Sequence, residues 1–208
     1  MDRQIVEDVE EYMGCTILGK CPPEEAPDFD IPVSGLELYL TTNHLDNFNK
    51  SVELCNKSEY EINVVHTPHV PLDELEYIEK TDELAQAVGA DTIVMHSGAI
   101  PVADAGEVVE AVDFKTNTVG YESNAGISLQ FLREFMRVYN AKATLDTAHT
   151  FSAYGNNVEY VTKLHSFLNL LSDEIGAVHL CDSELYDDGY NLGDGVMDIP
   201  RVMDTIAV

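Results

Sequence analysis

Five residues carry the chemistry this sequence offers: His66, His96, Glu122, Asp146 and His179. They follow one another at spacings of 30, 26, 24 and 33 residues, each at or near the end of a short run of apolar and β-branched residues. Three imidazoles and two carboxylates gathered in an interior would be costly to bury without partners. A divalent cation removes that cost, because it binds neutral imidazole and ionised carboxylate directly. Mixed nitrogen and oxygen ligands suit Zn²⁺ or Mn²⁺, with Co²⁺ as a third, better than Ca²⁺ or Mg²⁺, which take oxygen shells. The plainer alternative is a network of buried, hydrogen-bonded side chains in an inert scaffold.

The elements that must position these residues are legible as a rhythm. GLELYL (35–40), INVVHTP (62–68), TIVMHSG (92–98), NTVGYES (117–123), KATLDTAH (142–149) and IGAVHLCD (175–182) read as strands. Between them, segments 73–90, 127–140 and 157–174 have helical spacing, and so does RQIVEDVEEYM (3–13). GCTILG (14–19) is a further strand candidate, followed by a proline- and acid-rich loop over 21–32. Strand and helix in alternation predict an α/β fold with a parallel sheet, a (β/α) TIM-type barrel shortened at its C-terminal end. Side-chain parity agrees. Val64/His66, Val94/His96, Gly120/Glu122, Thr144/Asp146 and Ala177/His179 each share one strand face, with the earlier residue apolar or small. In barrels of this type the strand C-termini carry the chemistry. The expected organisation is a single domain over 1–208, with 1–34 an irregular N-terminal portion.

Composition sets the class. A length of 208 residues with 45% hydrophobic content is ample for one core. No basic start precedes an apolar run, and no apolar run reaches about 18 residues. The expectation is a cytoplasmic protein with no membrane partner. The charge is lopsided, with 38 acidic residues against 11 basic ones and a formal net charge of −27. Self-repulsion on that scale is relieved by salt, which points to a halophilic habitat rather than to a mechanism. Cys15, Cys21, Cys55 and Cys181 have no metal-finger spacing and read as reduced thiols. His44 and His165 read as packing or surface residues, and Tyr121, Phe131, Phe135 and Tyr139 as core.

The segments VVHTPH, IVMHSG, YESNAG, TLDTAHTFSAYG and VHLCDSELYDDGYNLGDG, in that order, resemble the xylose isomerase-like barrel superfamily. That group joins sugar-phosphate isomerases and epimerases with the endonuclease IV enzymes. YESNAG resembles the E-N-T-A-G of endonuclease IV, LDTAHTFSAYG its D-T-C-H-x-F-A-A-G-Y, and VHLCDS its H-L-N-D-S. The resemblance implies one metal at His66, His96 and Glu122, a second shared by Glu122, Asp146 and His179, and a third drawing on His149 and Asp187. His69 and Asp182 would line the mouth or support the ligands. The sequence departs from the pattern at Gly189, where the family has a His, and the Glu of the last barrel strand has no counterpart before Val208.

Three functions follow. The first is a metal-dependent isomerase or epimerase of a sugar or sugar phosphate, with Glu122 and His179 near the transferred proton. The second is endonuclease IV-like cleavage at abasic DNA, against which the few basic residues argue. The third is a degenerate barrel that binds without turnover. An exposed barrel edge would favour a homodimer.

Overall fold

The structure, a computed structural model, describes residues 3–96, 100–124, 127–152, 157–184 and 187–207, without the side chains of residues 152, 157, 187 and 188. The chain divides into two compact units, Met1–Ile100 with Glu107–Val119, and Pro101–Gly106 with Gly120–Val208.

The first unit opens with helix α1 (Arg3–Met13) and strand β1 (Leu18–Cys21). Strand β2 (Gly35–Tyr39) leads through helices α2 (Thr42–Asp46) and α3 (Phe48–Cys55) to β3 (Ile62–His66). Helix α4 (Leu75–Val88) then leads to β4 (Thr92–Met95). The four strands are parallel and neighbour one another in chain order, with Lys20 opposite Glu37 and Tyr39 opposite His66. Parallel strands covered by helices have little exposed surface, so they read as near-continuous apolar runs. Leu36, Leu38, Val65 and Ile93 pack with Leu45, Cys55, Leu84 and Ala85 of the covering helices in one cluster. The alternate positions, Lys20, Glu37, Tyr39, Val64 and His66, fall on the other face. The first strand thus starts only at the end of GCTILG: β1 takes Leu18 and Gly19 from it and runs on through Lys20 and Cys21, in register with β2. Helix α4 stops at Gly89, whose φ of +79° suits glycine and lets its N–H reach the Ala85 carbonyl.

Helix α5 (Val102–Ala111) precedes strand β5 (Thr118–Glu122). In the second unit β5 is followed by helix α6 (Leu129–Tyr139), β6 (Lys142–Asp146), helices α7 (Thr147–Ser152) and α8 (Asn157–Leu171), and β7 (Ile175–His179). Strands β5, β6 and β7 are parallel, with Glu122 opposite Thr144 and Asp146 opposite His179. A hairpin of β8 (Asp182–Glu184) and β9 (Asp187–Tyr190) and helix α9 (Ile199–Ile206) complete the unit. The Ser128 hydroxyl accepts the Phe131 N–H and starts α6, which buries Leu132, Phe135 and Met136. Phe131 does not belong to that face: it is 64% exposed, one residue off the apolar stripe, so its expected core role fails. Tyr121 and Phe135 do pack, with ring centroids 5.5 Å apart.

Both units thus have the strand–helix alternation and parallel pairing expected of a (β/α) TIM-type chain. Among the described residues no helix is long and apolar enough to cross a membrane. All four cysteines are free thiols.

Candidate metal centre

Glu122, Asp146 and His179 are the last residues of β5, β6 and β7. Parallel pairing with Asp146 directly opposite His179 brings their side chains out on one face. His179 Nδ1 lies 2.5 Å from Glu122 Oε1 and 3.7 Å from Asp146 Oδ2. One ligand atom from each of the three falls within 4.8 Å of the others. Glu122 is 2% and Asp146 5% exposed. Two carboxylates this close and this buried repel each other when both are ionised. A divalent cation among them offsets the repulsion, so the donor set fits one.

The supporting contacts are local consequences of Ser123, which follows Glu122, and of the sequence D-T-A-H (146–149). Asp146 ends a strand and caps a helix at once: its Oδ1 accepts the His149 N–H at 2.7 Å, which leaves Oδ2 on the side of His179. The Asp146 N–H donates to the Ser123 hydroxyl at 3.0 Å. His149 Nδ1 lies 3.3 Å from the Ser123 carbonyl, which only accepts, so Nδ1 carries the proton and Nε2 the lone pair. Thr147 Oγ1 is 3.1 Å from the His179 carbonyl and 3.2 Å from that of Cys181, tying the end of β7 to the start of α7. Contacts of this kind fix the rotamer and tautomer of a ligating side chain.

The first unit gathers its own histidines. His66 is 4% exposed, and its Nδ1 donates to the Thr67 carbonyl at 3.0 Å, so its lone pair is also on Nε2. Thr67 holds the next strand as well: its N–H donates to the Val94 carbonyl, and its hydroxyl accepts the His96 N–H at 3.4 Å. The His66 and His96 rings lie 5.5 Å apart, and the ring of His69, an exposed residue, lies 3.5 Å from that of His96.

Asp182 is fully buried, and burial by itself would raise its pKa. Backbone N–H groups of Met197, Ser183, Gly193 and Gly195 outweigh that and hold the carboxyl below its ordinary value. Its oxygens are thus engaged by the L-G-D-G turn rather than by a histidine. A Cβ at Gly195 would run into Asp182 Oδ1 and the Ser183 carbonyl, which explains the glycine. Gly189 has φ +78°, a backbone region that disfavours the imidazole-bearing residue found there in the family pattern. The Asp187 side chain lies outside the described residues.

Sequence reasoning passed over Ser123, Thr147 and Glu37. The first two act through main-chain groups, which leave no spacing signature. Glu37 did leave one: a lone carboxylate inside GLELYL, 5% exposed, on the same strand face as His66.

The family model for the xylose isomerase-like TIM barrel matches residues 26–207. Endonuclease IV from Thermus thermophilus superposes with a TM-score of 0.59 at 16% identity, covering 99% of this chain and 83% of that one. A protein of the same organism soaked with zinc chloride superposes at 0.60 and 20% identity, covering 93% and 79%. A D-psicose 3-epimerase crystallised with D-fructose superposes at 0.50 and 13% identity, covering 89% of each chain. No curated protein sequence matches the chain.

Proposed function

Because the chain belongs to the xylose isomerase-like TIM barrel family, we propose that it is a divalent-metal-dependent isomerase or epimerase of a sugar or sugar phosphate. The observation that carries this reading is the Glu122–His179 contact of 2.5 Å, flanked by Asp146. Glu122, Asp146 and His179 would hold a cation, Zn²⁺ or Mn²⁺ before Co²⁺, and His66, His96 and His149 are further ligands by resemblance. Zinc has the support that a similar structure was soaked with it. When bound, the cation supplies polarisation of the substrate's oxygens. Glu122 Oε1 and His179 Nδ1 are in hydrogen-bond contact, which places a carboxylate and an imidazole where one of them would take a proton from an adjacent carbon and return it. The burial of Glu122, 2% exposed, would keep bulk water from exchanging with a proton it holds.

Endonuclease IV-like cleavage is the second reading, favoured by the wording of YESNAG and TLDTAHTF. It needs phosphate contacts, which 11 basic residues among 38 acidic ones supply poorly. It also draws on a third metal, whose usual histidine is replaced by Gly189. A non-catalytic descendant is the third. In all three the protein is cytoplasmic, adapted to salt through its charge, and free to pair as a homodimer.

Purified protein loaded with Zn²⁺ or Mn²⁺ is to be assayed for ketose–aldose interconversion and epimerisation, beside cleavage of an abasic duplex. Sugar turnover lost in Glu122→Gln supports the first reading. Duplex cleavage without sugar turnover replaces it with the second.

A further inference from the structure

Strand β2 is buried at Gly35, Leu36, Glu37 and Leu38, then ends on a 41% exposed aromatic, Tyr39. Single exposed aromatics are ordinary on a surface. Tyr39 differs by its place: it stands directly opposite His66 in the strand register and on the same face as Glu37. One strand over, Lys20 is opposite Glu37 and forms an ion pair with it, Nζ 2.9 Å from Oε1. The lysine side chain is 39% exposed while that of its partner is 6% exposed. Glu37 therefore acts from beneath to hold the ammonium in place, and Lys20 and Tyr39 are the groups that meet solvent.

The charge around this face is negative. Tyr39 has its hydroxyl pKa raised first by burial and then by Glu25 and Glu24, with Lys20 opposing them. Glu24 in turn lies against His44, 3.1 Å away, and near Lys50. Three carboxylates, Glu24, Glu25 and Glu37, thus face two ammonium groups, Lys20 and Lys50. The remaining basic residues of the first unit are taken up elsewhere: Arg3 by Glu7, Lys57 by Glu53, Lys80 by Asp46 and Lys115 by Asp113. Among the described residues of the first unit, a phosphate arriving here would meet more carboxylates than ammonium groups.

From this arrangement we infer that Tyr39 and the Lys20–Glu37 pair form a sugar subsite beside His66, which takes an uncharged sugar and disfavours a phosphorylated one. The ring of Tyr39 supplies a flat apolar surface for the C–H face of the sugar. Lys20 donates to a sugar hydroxyl, and Glu37 is a positioning residue that keeps the ammonium oriented. The inference rests on the sugar-isomerase reading and narrows its substrate class.

Saturation-transfer NMR titrations with D-fructose and D-fructose 6-phosphate test it, on wild type, Tyr39→Ala and Tyr39→Phe, each with metal content and melting temperature recorded. Wild type should bind D-fructose more tightly than its phosphate. Tyr39→Ala should lose roughly tenfold in affinity, the size of one aromatic contact. Tyr39→Phe should bind like wild type, and metal content should be equal in all three. Unchanged fructose binding in folded Tyr39→Ala, or tighter binding of the phosphate by wild type, overturns the subsite and leaves the isomerase reading standing. No response to either sugar by metal-loaded wild type overturns both.

Discussion

The Ser123 carbonyl stands 3.3 Å from His149 Nδ1, while the Ser123 hydroxyl accepts the Asp146 N–H at 3.0 Å. One fully buried serine thus sets the tautomer of one candidate ligand and the backbone position of another. Removing its hydroxyl leaves the buried Asp146 N–H without that acceptor, at a cost of about 1–3 kcal/mol. Ser123→Ala should therefore lower stability by that amount in urea titrations and weaken zinc binding by roughly 10–100-fold. A variant that binds zinc like wild type would separate Ser123 from the metal centre.

Asp182 makes the sharpest pH prediction. Its folded pKa lies below the ordinary aspartate value of about 3.9, so below that value the unfolded chain takes up the proton first. The stabilisation is complete at neutral pH and is lost as pH falls through the folded value. Asp182→Asn presents N–H groups to backbone N–H groups and should cost roughly 3 kcal/mol at pH 7. Urea titrations at pH 7 and in acid should show the gap between wild type and variant closing as pH falls. Gly195→Ala, whose methyl would strike the same carboxylate, should destabilise at both pH values.

Thiol labelling probes the first unit. Burial pushes Cys21 up to about 11 and Cys55 up to about 12, with nearby Glu25 and Cys21 adding to the respective shifts. Both are nearly inaccessible, at 1% and 3% exposure, whereas Cys15 is exposed. Burial and Glu10 raise the Cys15 thiol as well, so exposure decides: alkylation at pH 8, read by mass spectrometry, should modify Cys15 first and leave Cys21 and Cys55 intact until the protein unfolds.

The net charge of −27 predicts a dependence on salt. Raising KCl from about 0.1 M to about 1 M shortens the screening length from roughly 10 Å to 3 Å. The melting temperature should rise by roughly 10 °C, equivalent to a few kcal/mol at this size. A flat response would detach the acidic surface from salt adaptation.

Much of this architecture was legible in the sequence because the parallel strands are apolar runs and the helices between them keep a 3.6-residue period. The six runs read as strands appear at β2 to β7, trimmed at their ends where the chain turns into loops or, after Asp146, directly into α7. Helices α2 and α3 were missed because TNHLD is short and mostly polar, and FNKSVELC, though apolar at Phe48, Val52 and Cys55, lasts only about two turns. The β8–β9 hairpin was missed for a related reason: DSE and DDGY carry no apolar alternation, and the hairpin rests on backbone pairing and on Asp182. At the site, Glu122, Asp146 and His179 could be read from strand parity, since register alone makes them neighbours. The roles of Ser123 and Thr147 could not, because they depend on which carbonyl or N–H a loop delivers.

Metal content measures directly whether Glu122, Asp146 and His179 hold a divalent cation. Protein purified without a tag in molar KCl, then soaked with zinc and dialysed, is to be analysed by mass spectrometry of the elements beside Glu122→Gln. Wild type should carry at least one equivalent of Zn, Mn or Co, with a clear loss in the folded variant. Metal absent from both, or retained equally by both, would contradict it.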